Sequence, residues 1–201
     1  MSLRSRMLTA GFCCAAFLLI HGSRVSAADT PSTKIIKAGE LTLKVPEAWH
    51  SEPIRSNSNF SPRKAHLKIP KVAGDREDAD LIVSFFAGGA GPVDANIQRW
   101  TNAFQPSGRK VKVTTGKSSE GDYVLVDTQG TWNKPIGPMQ PGQKTEPVPN
   151  SRALGVILTS NVGYYIRLTG PEKTVSANVD AFRAAFGADA KHEKERPASQ
   201  D

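Results

Sequence analysis

Four carboxylates fall within six residues in the run Asp75-Arg76-Glu77-Asp78-Ala79-Asp80, and a hard cation such as calcium takes several carboxylate oxygens at once. Asp75, Glu77, Asp78 and Asp80 are therefore the candidate metal ligands. The run lacks the glycine turn and distal glutamate of an EF-hand, and Arg76 neutralises part of it, so a solvated loop is the plainer expectation. Gly88-Gly89-Ala90-Gly91-Pro92 follows an apolar run and precedes a helical pattern, where free backbone N–H groups could cradle a phosphate. No Gly-Lys-Ser/Thr follows and Asp94 stands where a third glycine would belong, which favours a structural turn. His50 and His66 lie 16 positions apart with no helical ligand spacing, whereas zinc needs three or four convergent ligands. They read as isolated histidines. No serine sits in a nucleophile elbow, and no catalytic residue is assigned.

Two further groups are suited to binding. Lys64 and Lys68 flank His66 on one strand face and Lys110 and Lys112 share another, so a polyanion patch would form if those strands lay together. No aromatic residues interleave the lysines, so nucleic acid is not expected as a partner. From Asn133 to Asn150, prolines 135, 138, 141, 147 and 149 punctuate what reads as a long irregular connection. Loops of that length are functional or mobile, and proline lowers the cost of ordering one on a partner. Trp132, Lys134, Pro135, Pro138, Pro141 and Lys144 are the partner-binding candidates. Asn59-Phe60-Ser61 is formally a glycosylation acceptor.

These groups must be carried by a single domain, since 201 residues with 38% hydrophobic and 22% charged side chains exclude a disordered or multi-span chain. Arg4 and Arg6 precede an apolar stretch from Met7 to Ile20, and Val25-Ser26-Ala27 offers a cleavage site, so residues 1–27 read as a secretory signal. Their removal takes three arginines and no acid, lowering the net charge from +7 to +4. It also takes Cys13 and Cys14, both cysteines of the sequence, so the mature chain has no thiol chemistry. The expected location is periplasmic or extracellular. Residues 28–33 read as a short leader, 34–187 as the domain, and 188–201 as a solvated charged tail.

Strand alternation marks Lys34–Val45, Lys64–Pro70, Lys110–Thr115, Asp122–Trp132, Arg152–Ser160 and Gly163–Thr169. Leu81–Ala87 is nearly all apolar, as a strand buried on both faces would be. Ile97, Trp100 and Phe104 form one helical stripe, with Asp94 placed to cap it. Val175, Val179, Phe182 and Phe186 form a second, closed by Gly187. The expected class is α+β, a central mostly antiparallel sheet flanked by helices. Trp49 and Trp100 are assigned to the core.

The order of landmarks also resembles the PsbP-like superfamily of exported proteins. It runs from Leu43-Lys44-Val45-Pro46-Glu47-Ala48-Trp49 through Leu67-Lys68-Ile69-Pro70, Gly88-Gly89-Ala90-Gly91 and Ala95-Asn96-Ile97-Gln98-Arg99-Trp100 to Tyr165-Ile166-Arg167-Leu168-Thr169-Gly170-Pro171. The resemblance implies an α/β/α sandwich and brings no shared catalytic or metal-binding residue. The expectation is an exported, non-enzymatic, monomeric module without cofactor. It would bind a protein or envelope component through a sheet edge and the proline-rich segment. A metal-dependent hydrolase or lyase built on the acidic run and polyanion binding by the lysines are the alternatives.

Overall fold

The computed structural model describes residues 32–54, 61–137, 142–161 and 163–197. The signal segment, Asn59, Pro138 and Pro141 lie outside these. Among the described residues no helix is long and apolar enough to cross a membrane.

The architecture is mostly antiparallel sheet with few helices. A two-stranded ribbon, β1 (Thr33–Ala38) and β2 (Leu41–Pro46), turns at Gly39, whose φ of +71° suits glycine. Eight strands make the main sheet: β3 (His50–Ser51), β4 (Arg63–Ile69), β5 (Ala79–Phe85), β6 (Lys110–Ser118), β7 (Gly121–Pro135), β8 (Thr145–Leu158), β9 (Tyr164–Pro171) and β10 (Lys194–Glu195). Their spatial order is β10-β6-β7-β8-β9-β5-β4-β3. The helices are α1 (Val93–Asn102), α2 (Glu172–Ala177) and α3 (Val179–Ala185), with a 3-10 turn at Ala190–His192.

Period-two alternation sorts the strand side chains between the two faces. One face carries Ala65, Leu67, Leu81, Val83, Leu125, Leu154, Val156, Ile166 and Leu168. It is buried beneath the ribbon, Trp49, α2 and α3. The other presents Val124, Val126, Ile157 and Tyr165, on which Trp100 of α1 packs.

Several expectations change. The stripe 175–186 is two helices, not one. Asn178 separates them because its amide donates to the Thr174 carbonyl at 2.8 Å and its Oδ1 accepts from the Trp49 indole at 3.3 Å, local bonds that compete with the helical ladder. Val175, Phe182 and Phe186 are buried nonetheless. Asp94 makes no cap bond; the N-cap is Pro92, and Asp94 pairs with Arg196 at 2.8 Å. β5 is buried on one face only, since Ile82 and Ser84 are half-exposed on the other.

The irregular connection is a two-stranded arm. Trp132, Asn133, Lys134 and Pro135 pair with Val148, Pro147, Glu146 and Thr145 beyond a bulge at Gly130. Asn133 sends its N–H outward to the Ala103 carbonyl at 2.9 Å. Backbone nitrogens at 133, 135 and 147 therefore face away from the partner strand, so Pro135 and Pro147, which lack an N–H, forfeit no ladder bond.

The tail is likewise structured over its described residues, 188–197. β10 adds to the edge of β6, pairing Lys194 with Thr115 and Glu195 with Thr114. Glu193 turns inward, where its side chain is only 7% exposed and takes a two-bond fork from Arg183 Nε and Nη2 at 2.7 and 3.0 Å. It also accepts from the Tyr123 and Thr114 hydroxyls, each at 3.0 Å.

Candidate functional site

A helix of ten residues is about 15 Å long and about 10 Å wide. Eight strands span roughly 34 Å at ~4.8 Å per spacing. One such helix cannot roof that face, so a depression opens along each of its flanks.

The flank toward β6 holds about 600 Å³ between Asp94, Ile97, Arg109, Val111 and Arg196. Its arginines are already paired: Arg196 to Asp94, and Arg109 Nη1 to the Thr101 and Phe104 carbonyls at 3.0 and 3.2 Å.

The flank toward β5 is chemically different. It encloses about 580 Å³ and is lined by Arg63, Ile82, Ser84, Phe86, Arg99, Trp100, Ala103, Tyr165 and Arg167. Three arginines and three aromatics meet there, and no acid or histidine is among the lining residues. The register builds the floor, because Arg167 of β9 lies between Ile82 of β5 and Gly155 of β8. Gly155 is required by Trp100. A Cβ at position 155 would stand 2.3 and 2.4 Å from two indole carbons, so only a bare backbone lets the ring lie down there. Trp100 and Phe86 each meet Tyr165 edge to face, at 6.2 and 5.7 Å.

Arg167 is the unusual member. As a residue it is half-buried, yet its Nε and Nη2 are closed to solvent and have no hydrogen-bond partner among the described residues. Its guanidinium carbon lies 6.0 Å from the Trp100 ring centroid, a cation–π contact. Burial, and then the like charge of Arg99, push its pKa down to about 10. At neutral pH the group is still a cation. A buried charge without an acceptor is expensive, and here the cost falls beside a depression large enough for a ligand.

The supports are well fixed. Asn96 is 1% exposed and its amide donates to the Ala90, Gly91 and Pro92 carbonyls, while its Oδ1 accepts from Arg99 Nη2. The glycine-rich turn thus points carbonyls at Asn96. Of its N–H groups, that of Ala90 is given to the Tyr165 hydroxyl at 2.8 Å and that of Gly89 to the Phe86 carbonyl at 2.8 Å. It is the structural turn expected.

The carboxylates of the acidic run are sent to different partners. Asp75 accepts from Thr174 N and Oγ1 at 2.8 and 2.6 Å, at the start of α2. Glu77 pairs with Lys134 at 2.7 Å, Asp78 accepts from the Lys71 N–H at 3.0 Å, and Asp80 holds Lys68 and His66 at 2.8 and 2.6 Å. Among the described residues no three metal-ligating side chains converge. His66 is not isolated, as the sequence suggested; Asp80 faces it across the β4–β5 pair.

The lysines form no common patch. β4 and β6 are five strand spacings apart in the sheet order, about 24 Å. Lys68 shares its face with Asp80 and Thr169, whereas Lys112 stands opposite Asp127 on the other side of the sheet. Of the partner candidates, Trp132 bridges Phe104, Lys134 is tied to Glu77, Pro135 ends β7, and Lys144 is exposed near the arm's tip.

Sequence reasoning missed Arg63, Arg99 and Arg167 as a group. The available signal was Tyr165-x-Arg167-x-Thr169 on one strand face, with a glycine in the neighbouring strand and a tryptophan on a helix. Alternation alone assigns such an arginine to solvent.

No family model matches the chain, and no curated protein does. Its structure is similar to the solution structure of cyanobacterial PsbP (CyanoP) from Synechocystis sp. PCC 6803, with a TM-score of 0.43 and 10% identity, covering 87% of this chain and 100% of that one. The likeness concerns the course of the backbone and carries no site, ligand or activity across.

Proposed function

We propose that this chain is an exported, non-enzymatic module that binds an organic anion with an apolar body in the depression between α1 and β5. The observation that carries this reading is the convergence of Arg63, Arg99 and Arg167 with Phe86, Trp100 and Tyr165 around one depression whose lining holds no acid. An anionic head would meet the exposed Arg63 and Arg99 at the wall and rim, with the buried charge of Arg167 adding its field from the floor, while the aromatics take the body. The acidic run and the arm act as scaffold, joined through Lys134 and Glu77.

The test follows Trp100 fluorescence as naphthalene-1-acetate and its neutral amide are titrated into the purified protein. The acid is expected to bind and the amide to bind at least about tenfold more weakly, in line with the ~1.5–3 kcal/mol of a charge-assisted bond. Arg167→Met should narrow that difference while leaving Tm unchanged or higher, because a similar-sized apolar residue replaces an uncompensated buried charge. Equal binding of acid and amide would remove the anion from the proposal.

A further inference from the structure

The main sheet has two edges, and β10 closes only a short part of one of them. It is two residues long and pairs with Thr115 and Thr114 of β6. Beyond it, the Arg196 N–H reaches the Val113 carbonyl at 2.9 Å. Backbone groups of a strand alternate between its two neighbours, so Val111 turns its N–H and C=O to the same side as Val113. Among the described residues nothing pairs with Val111 there. Beside this stretch lies the depression of about 600 Å³ between α1 and β6, to which Ile97, Val111 and Val113 bring apolar surface and Gln98 and Asn102 neutral polar groups. Val111 is 44% exposed. Lys110 and Lys112, also exposed, alternate with it on the opposite face.

We propose that the β6 edge from Arg109 to Val113 takes an extended acidic peptide as an added antiparallel strand, in line with β10. The direction follows from β10, which already runs antiparallel to β6 on this edge. A residue placed opposite Val111 exchanges both main-chain bonds with it and shares its face, so an apolar side chain there packs on Val111 beside the depression. The residues on either side of it point to the other face, where acids meet Lys110 and Lys112. Charge decides the occupant. Arg109, Lys110 and Lys112 are cations, and Asp127, which stands opposite Lys112, is already held by Arg152. Asp94, the acid lining the depression, is tied to Arg196. Two copies of such an edge repel each other, the usual way lysines guard a strand from its own kind. A segment that alternates acidic with apolar residues is attracted instead. The inference stands apart from the anion site on the other flank of α1.

The test follows the fluorescence anisotropy of labelled Glu-Val-Glu-Val-Glu-Val and Lys-Val-Lys-Val-Lys-Val as the purified protein is titrated in. The acidic peptide should bind at least about tenfold tighter and should lose affinity as salt is raised. N-methylation of its valines should abolish binding, whereas N-methylation of its glutamates should change affinity by less than about threefold, because only the valine N–H groups face β6. Val111→Pro removes an N–H that points to the open edge and leaves the β7 ladder intact, so binding should be lost with Tm nearly unchanged. Should that variant not fold, the two methylation patterns decide alone. Replacing both lysines, Lys110→Gln with Lys112→Gln, should bring the two peptides within about threefold of each other. Failure of the acidic peptide to bind, equal binding of the two peptides, or equal effects of the two methylation patterns would overturn the proposal. So would binding that appears only after residues 198–201 are removed, which gives the edge to the chain's own end. A concentration-dependent dimer that Val111→Pro abolishes would give it to a second copy and likewise overturn the proposal.

Discussion

Replacing Glu193 with alanine is expected to lower stability by about 3–5 kcal/mol, the largest loss of any single substitution considered. The estimate follows from leaving Arg183 uncompensated in a site where its side chain is 13% exposed, and from orphaning the Tyr123 and Thr114 hydroxyls. For a chain of this size it corresponds to a fall in Tm of roughly 10 °C or more. The same carboxylate makes stability depend on pH. Burial by itself would raise its pKa, but the Arg183 fork, then the hydroxyls of Thr114 and Tyr123, hold it below the ordinary value of 4.5. Arg183 is raised in turn, chiefly by its bonds to Glu193. Tyr123 is pushed well above its usual range by burial and by the nearby carboxylate. A carboxyl more acidic when folded than when unfolded stabilises the fold above the unfolded pKa, and that stabilisation disappears as pH drops through the folded one. Denaturant titrations below pH 4.5 should therefore show stability declining in the native protein, with a shallower slope in Glu193→Gln. Identical slopes in the two proteins would mean the carboxylate is not held as the geometry requires.

The second large effect is expected at Gly155, where alanine should cost about 1–3 kcal/mol because its methyl group collides with the rigid indole of Trp100 rather than with a flexible chain end. The fall in Tm is roughly 3–10 °C. Displacing the ring also disturbs one side of the Arg167 site, so binding of naphthalene-1-acetate should weaken in the same variant. Introducing Gly155→Ala into a Trp100→Phe background separates the causes. The smaller ring relieves the collision, and the two substitutions should couple by about 0.5–3 kcal/mol. Strict additivity would refute the packing account.

What the sequence disclosed, and what it hid, follows from the range of the interactions. Leu41, Leu43 and Val45 alternate visibly because burial on one face repeats every second residue, and β2, β4, β6, β7 and β9 were legible for that reason; of the expected helical stripe, Ile97 and Trp100 lie on α1, whereas Phe104 falls beyond its end and bridges Trp132. Trp49 and Trp100 are buried as expected. The arm was hidden because proline argues against a strand unless its missing N–H would have pointed outward, a matter of register rather than composition. Glu193 looked solvated because its partners are far away in sequence. Arg167 looked solvated because the residue covering it belongs to a helix that precedes its strand by more than one full sheet connection. The break at Asn178 was invisible because the apolar stripe continues across it. Charge runs misled most: Asp75, Glu77, Asp78 and Asp80 share a segment, but the strand and helix ends around them claim each carboxylate separately.

The Glu193 cluster also bears on the order in which the molecule becomes whole. Thr114, Tyr123 and Arg183 come before it by 79, 70 and 10 positions, so a polypeptide made from its N-terminus delivers every donor ahead of the one acceptor that joins them. Until residue 193 has left the ribosome, that corner has no keystone. That corner can close only after β6, β7 and α3 have all been made.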